Sequence, residues 1–125
     1  MPRHPLSTTV KFLKLHDDVQ LPERKSEEAA GMDLHAYLPN GKIGIPPGER
    51  KIVNTGLKME LDPGYAAILL SAWLGPSVEG LDTEGEVRVL FRNLSTTTLI
   101  LEPNTVLGTL RILPSVRVSI MEIEN

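Results

Sequence analysis

Apolar and polar positions alternate along most of this chain in short runs, and turn-forming residues separate the runs. The clearest run is Val87-Arg88-Val89-Leu90-Phe91-Arg92-Asn93. Val87, Val89 and Phe91 fall on one face of an extended segment, and Arg88, Leu90 and Arg92 fall on the other. Residues 10–15 alternate less regularly and predict an edge strand. Residues 32–38, 42–45, 50–54, 57–61, 98–101, 106–113 and 116–123 predict further strands. Residues 65–70 are apolar almost throughout, which predicts a strand buried on both faces. The Asn-Gly pair of Pro39-Asn40-Gly41 signals a hairpin. In Pro46-Pro47-Gly48 and Asp62-Pro63-Gly64, proline fixes φ and glycine supplies a permissive angle. Thr55-Gly56 separates two of the predicted strands. No stretch keeps a helical period, and residues 25–31 have room for one turn at most. Short strands at this spacing predict an antiparallel sandwich or barrel.

Length and composition narrow the picture. A chain of 125 residues predicts one domain over residues 1–125, with residues 1–8 expected to be flexible. Aromatic residues make up only 4%, so aliphatic side chains must fill the core. A net charge of -3 excludes a general pull toward nucleic acid. A nucleotide site would have to be local, built from a few arginines and backbone amides. The chain has no cysteine, so it forms no disulfide and no thiolate metal site. That fits the cytoplasm or nucleus, as does Met1-Pro2-Arg3-His4-Pro5, which lacks the apolar core of a secretion signal. No apolar run approaches the roughly 20 residues that span a membrane. His4, His16 and His35 lack ligand spacing and are expected at the surface. Asn93-Leu94-Ser95 has the spelling of a glycosylation acceptor, which matters only in a secreted chain.

Ala29-Ala30-Gly31-Met32-Asp33-Leu34-His35-Ala36 follows the first strand and a Pro-containing link. It is joined downstream by Ile45-Pro46-Pro47-Gly48-Glu49, Asn54-Thr55-Gly56-Leu57-Lys58-Met59 and Pro63-Gly64-Tyr65-Ala66-Ala67. This order resembles the trimeric dUTPase family, whose first motif usually reads Ala-Gly-Tyr/Phe-Asp-Leu. The resemblance covers most of the chain. It implies a jelly-roll β-barrel and a homotrimer with active sites between subunits. It also implies cleavage of dUTP between its α- and β-phosphates, which needs an activated water, screening of negative charge and recognition of uracil.

The family motifs map unevenly onto this chain. Asp33 matches the first-motif Asp, which in the family holds Mg²⁺ through water; a strand-end hydrogen-bonding role is the alternative. Ser71-Ala72-Trp73-Leu74-Gly75-Pro76 stands where the second motif carries an Arg and a Ser for the phosphates. Ser71 is a shifted substitute there, and Trp73 reads as a core or trimer-interface anchor. In Gly80-Leu81-Asp82-Thr83-Glu84-Gly85-Glu86-Val87, Asp82 matches the Asp that polarises the attacking water. Two positions after it are missing, including the Tyr under the deoxyribose, and roughly a dozen residues before it, where the family carries its uracil-reading hairpin. A turn role for Asp82 is the competing reading. In Asn104-Thr105-Val106-Leu107-Gly108-Thr109-Leu110, Val106 replaces the fourth-motif Arg and Thr109 its Gln. Arg111 shares the face of Thr109. The family's fifth motif is a Gly-rich C-terminal arm that caps the nucleotide of a neighbouring subunit, and with the chain running to Glu122-Ile123-Glu124-Asn125 no such arm is expected.

These losses lead to the expectation of a dUTPase-like trimer that has given up hydrolysis. Such a pseudoenzyme would serve as a binding or structural module for an unknown protein partner, a viral or virion role included, and would need no cofactor. The alternative is an active Mg²⁺-dependent dUTP diphosphatase. Asp33 would then serve the metal and Asp82 the water, with Ser71, Arg88 and Arg111, or Arg92, binding substrate.

Overall fold

The computed structural model describes residues 7–24, 31–71 and 76–124. Among these residues it forms strands and no helix. The strands are β1 (Val10–Lys14), β2 (Met32–His35), β3 (Ile43–Ile45), β4 (Arg50–Leu61), β5 (Tyr65–Ser71), β6 (Pro76–Asp82), β7 (Glu86–Asn93), β8 (Leu99–Leu101) and β9 (Val106–Pro114). They pair antiparallel in three sheets ordered β1-β4-β7-β6, β2-β9-β5 and β3-β8. One core joins all three: Leu34 from β2, Ile45 from β3, Phe91 from β7, Leu101 from β8 and Leu107 from β9 are each at most 1% exposed. Phe91 apart, aliphatic side chains fill this centre, and each contributes roughly 1.5–3 kcal/mol by leaving water. The jelly-roll β-barrel implied by the sequence is the fold observed.

Val87, Val89 and Phe91 of β7 point into the core, while Arg88, Leu90 and Arg92 stand on the outer face, as the alternation predicts. β1 is an edge strand, also as predicted. Other expectations change. The predicted break at Thr55-Gly56 is a bulge inside the single strand β4. Here side chains replace the ladder: Thr55 Oγ1 donates to Val87 O at 2.6 Å, and Gly56 N donates to Glu86 Oε2 at 2.9 Å. Gly56 has φ of 71°, and a Cβ there would lie 2.5 Å from Val19 Cγ2, so only glycine fits.

The second strand ends at His35 rather than at residue 38 because the chain changes sheets. Ala36 N donates to Thr105 O beside β9, and Tyr37 N then donates to Asn54 O on β4, each at 2.8 Å. The Asn40-Gly41 turn forms, with Gly41 at φ 94°, but it does not close a hairpin. β2 pairs with β9 and β3 with β8, so the turn links strands of different sheets.

β5 is not buried on both faces: Ile68 is 40% and Leu70 47% exposed, because the strand pairs only with β9 and its outer face is uncovered in the single chain. Residues 116–123 carry no strand pairing, and Ile120 and Ile123 are about nine-tenths exposed. Within the 1–8 lead, Thr8 is tied by its hydroxyl to Asp62 Oδ2 at 2.8 Å. The residues 25–30 and Trp73 lie outside the described residues.

Asn93 is fully buried and satisfied. Its Nδ2 donates to Ile45 O and Thr97 O, both at 2.8 Å, and its Oδ1 accepts from Ser95 N and Ser95 Oγ. A side chain so engaged ties β7 to β3 and is closed to glycosylation in the folded chain. Of the histidines in the described residues, His16 is exposed but stacks on Tyr37 at 4.9 Å. His35 is partly buried, contrary to expectation, and its Nδ1 has no hydrogen-bond partner among the described residues.

Candidate functional site

β6 ends at Asp82 and β7 begins at Glu86, so the pair makes a tight hairpin. Register sets Asp82 directly opposite Arg88. Arg88 Nη2 donates to Asp82 Oδ2 at 2.6 Å, and the backbone N–H of Glu84 donates to Asp82 Oδ1 at 3.1 Å. Both side chains remain a little under half exposed. The Arg88 hydrogen bond, and then the Glu84 N–H, hold the Asp82 carboxyl below the usual carboxylate range. Asp82 is therefore both a turn-capping residue and an ionised carboxylate facing outward.

The pair separates two hollows on the outer side of this sheet. One, of about 250 Å³, is lined by Ile52, Gly80, Leu81 and Leu90, with Asp82 and Arg88 at its rim. Its origin is local. Ile52 on β4, Leu90 on β7 and Gly80 on β6 stand in one cross-strand row, and Gly80 contributes no side chain to fill it. A Cβ at Gly80 would meet nothing closer than Leu90 Cβ at 3.9 Å. The second hollow, of about 300 Å³, is polar and is lined by Asn54, Glu84, Gly85 and Glu86 together with Asp82 and Arg88. At the other end of the apolar row, the register shift between Val78 and Gly80 marks the position of Glu79, which accepts from Arg50 Nε at 2.7 Å and lies 3.6 Å from Arg92 Nη1. Glu79 thereby bridges Arg50 and Arg92, like charges that register places opposite one another. Arg92 joins that bridge only through the longer contact, and its buried Nε has no hydrogen-bond partner among the described residues.

Asp33 and Arg111 lie on the sheet β2-β9-β5. Leu34 is buried, so Asp33 alternates to the outer face, opposite Thr109, which in turn opposes Leu70. Arg111, two residues beyond Thr109, shares that face and opposes Ile68. Gly31 makes this approach possible: a Cβ there would collide with Thr109 Cγ2 and crowd Arg111 Cγ. Ser71 stands opposite Gly108 at the end of β5 and alternates to the other face. The structure thus brings Asp82 and Arg88 into contact, sets Asp33 and Arg111 on a second sheet, and leaves Ser71 on neither group's face.

The described residues contain no group of three or more His, Asp or Glu side chains able to hold a metal. One outward carboxylate, Asp33, does fit a hydrated Mg²⁺ arriving with phosphates, since Mg²⁺ keeps several waters and takes few carboxylates.

Residues 17–124 match the family model described as dUTPase. Among curated proteins, the Chlamydia trachomatis deoxyuridine 5'-triphosphate nucleotidohydrolase is 31% identical over 91% of this chain and 86% of its own length. The protein of the same description from Caldanaerobacter subterraneus is 30% identical over 96% of this chain and 89% of its own. Among solved structures, the dUTPase of phage phi11 of S. aureus superposes with a TM-score of 0.78 at 17% identity, over 94% of this chain and 97% of its own. A point mutant of that phage enzyme is described with a structural Mg(II) ion. A G164S mutant of the Staphylococcus phage 80alpha dUTPase, described with dUpNHpp, superposes with a TM-score of 0.79 at 16% identity, over 94% of this chain and 89% of its own. These relatives overturn the reading of a barrel that has given up hydrolysis: near full-length bacterial proteins of about 30% identity carry the name of the enzyme, and nothing supports a pseudoenzyme, a viral role or a separate protein partner.

Proposed function

The chain belongs to the dUTPase family, and on that premise we propose that it is an active Mg²⁺-dependent diphosphatase converting dUTP to dUMP and pyrophosphate. The observation that carries this reading is the Asp82 carboxylate, ionised, fixed at both oxygens and set at the rim of an apolar hollow. A carboxylate offers about four lone-pair positions, and these two bonds use one on each oxygen. One position per oxygen remains to accept a hydrogen bond from water and orient it toward phosphorus. The hollow over Gly80 offers Ile52 and Leu90 to a nucleobase, and its size suits a single ring. Asp33 would hold Mg²⁺ through water, and Arg111 on the same face would meet phosphate charge. When bound with the nucleotide, Mg²⁺ screens that charge and polarises the phosphoryl oxygens.

Asp33 and Arg111 belong to one sheet and Asp82 and Arg88 to another. A homotrimer with sites between subunits unites the two groups across an interface. The open outer face of β5, with Ile68 and Leu70, offers apolar surface for that association. The test is pyrophosphate release from dUTP with Mg²⁺, set against dCTP and dTTP and against an Asp82→Asn variant. Turnover of dUTP alone, lost in the variant, supports the reading; equal turnover in the variant contradicts it.

A further inference from the structure

We infer that Arg88 is a positioning residue for the hydrolysis: from across the β6–β7 hairpin it fixes the Asp82 carboxylate toward the substrate, rather than contacting phosphate itself. The inference rests on the diphosphatase reading above, and its argument is geometric. Arg88 is the cross-strand partner of Asp82, and its guanidinium is committed to Oδ2 at 2.6 Å. The Glu84 N–H holds the other oxygen, so the carboxylate cannot turn about its bond without losing one anchor or the other. Asp82 and Arg88 are also the residues that line both hollows, so the pair is the wall between the apolar space and the polar one. An arginine that left for a phosphate would open that wall and release the carboxylate it orients.

The charged groups around Asp82 strengthen the point. Arg88 faces it from β7, Glu84 from the turn and Glu86 from the start of β7, while β4 presents the neutral Asn54. Without Arg88, Asp82 would share this hollow with two further carboxylates, and among the described residues the next cation in register is Lys58, opposite Glu86. Both partners are near half exposed, so removing Arg88 changes folding stability little. The effect should fall on orientation and on the charge state of Asp82.

The test compares the wild type with Arg88→Met and Arg88→Lys, using dUTP and Mg²⁺ for turnover. The Asp82 side-chain carboxyl is followed by carbon-13 NMR titration in the nucleotide-free protein. Expected for Arg88→Met are a fall in kcat of about ten- to a hundredfold, a KM within about twofold, and an acid limb of the kcat profile moved to higher pH. The Asp82 titration should move upward with it. Arg88→Lys should recover part of each, since it restores the charge without the fork. A raised KM with unchanged kcat and an unmoved Asp82 titration would make Arg88 a substrate contact and overturn the inference while the diphosphatase reading stands. A wild type that releases no pyrophosphate overturns that reading, and the titration then still decides whether Arg88 holds Asp82.

Discussion

Asp82 and Arg88 face each other across the closing turn of the β6–β7 hairpin, joined by a 2.6 Å charge-assisted hydrogen bond. The bond favours the carboxylate, so the folded-state value of Asp82 lies below its unfolded one. The linkage has a definite sign. The stabilising contribution is complete above about pH 4, the unfolded carboxylate value, and is lost as pH falls through the lower folded value. Asp82→Asn should therefore differ from the wild type in urea midpoint at about pH 7 and converge with it in acid, once pH has fallen through the lowered folded value. The difference should be small, because the pair is largely solvated. A gap that widens in acid would show that Asp82 is not held as the carboxylate.

Gly80 keeps the apolar hollow open. Gly80→Leu would place a branched side chain between Ile52 and Leu90 on an outward face, where a Cβ meets no clash. The variant should fold with a melting temperature near that of the wild type. Its KM for dUTP should rise by about tenfold or more, the worth of a lost apolar subsite. An unchanged KM would place the base elsewhere.

Gly56 carries the bulge of β4 in the left-handed region with Val19 packed against it. Gly56→Ala adds backbone strain and a clash, together about 2–4 kcal/mol. Chemical denaturation measures this directly. A loss under about 0.5 kcal/mol would mean that the loop bearing Val19 moves aside freely.

Much of this fold was legible in the residues. The alternation of Val87, Val89 and Phe91 against Arg88, Leu90 and Arg92 gave the inner and outer faces of β7, and with them the side of the barrel on which Arg88 stands. Strand pairing was less legible, because it depends on contacts distant in sequence. Asn40-Gly41 makes its turn, yet β3 pairs with β8 more than fifty residues on. The Asp82–Arg88 partnership hides in register across a hairpin whose length only the fold reveals. The hollow over Gly80 depends on a missing side chain in a three-strand row, and the Glu79 bridge depends on a register shift. Neither leaves a local pattern. The altered motifs mislead in another way: absent side chains at motif positions suggest lost hydrolysis, whereas the likeness to bacterial deoxyuridine 5'-triphosphate nucleotidohydrolases runs nearly the full length of the chain.

Ile68 and Leu70 test the assembly. If the proposed trimer forms through this face, Leu70→Glu, on the outer face of β5, should leave a single chain folded but shift sedimentation toward a monomer. Pyrophosphate release should fall with it, because in the proposed shared site Asp33 and Arg111 would lose the Asp82 of a neighbouring copy. A monomeric variant with full turnover would remove the shared site.

The most direct measurement is pyrophosphate release from dUTP with Mg²⁺ by the wild type and by Asp82→Asn, each shown to be folded. Expected are steady turnover by the wild type and a loss of at least about a hundredfold in the variant, the scale of a general-base or water-orienting group. Turnover by neither protein, with no rise in melting temperature on adding dUTP, would contradict the diphosphatase reading.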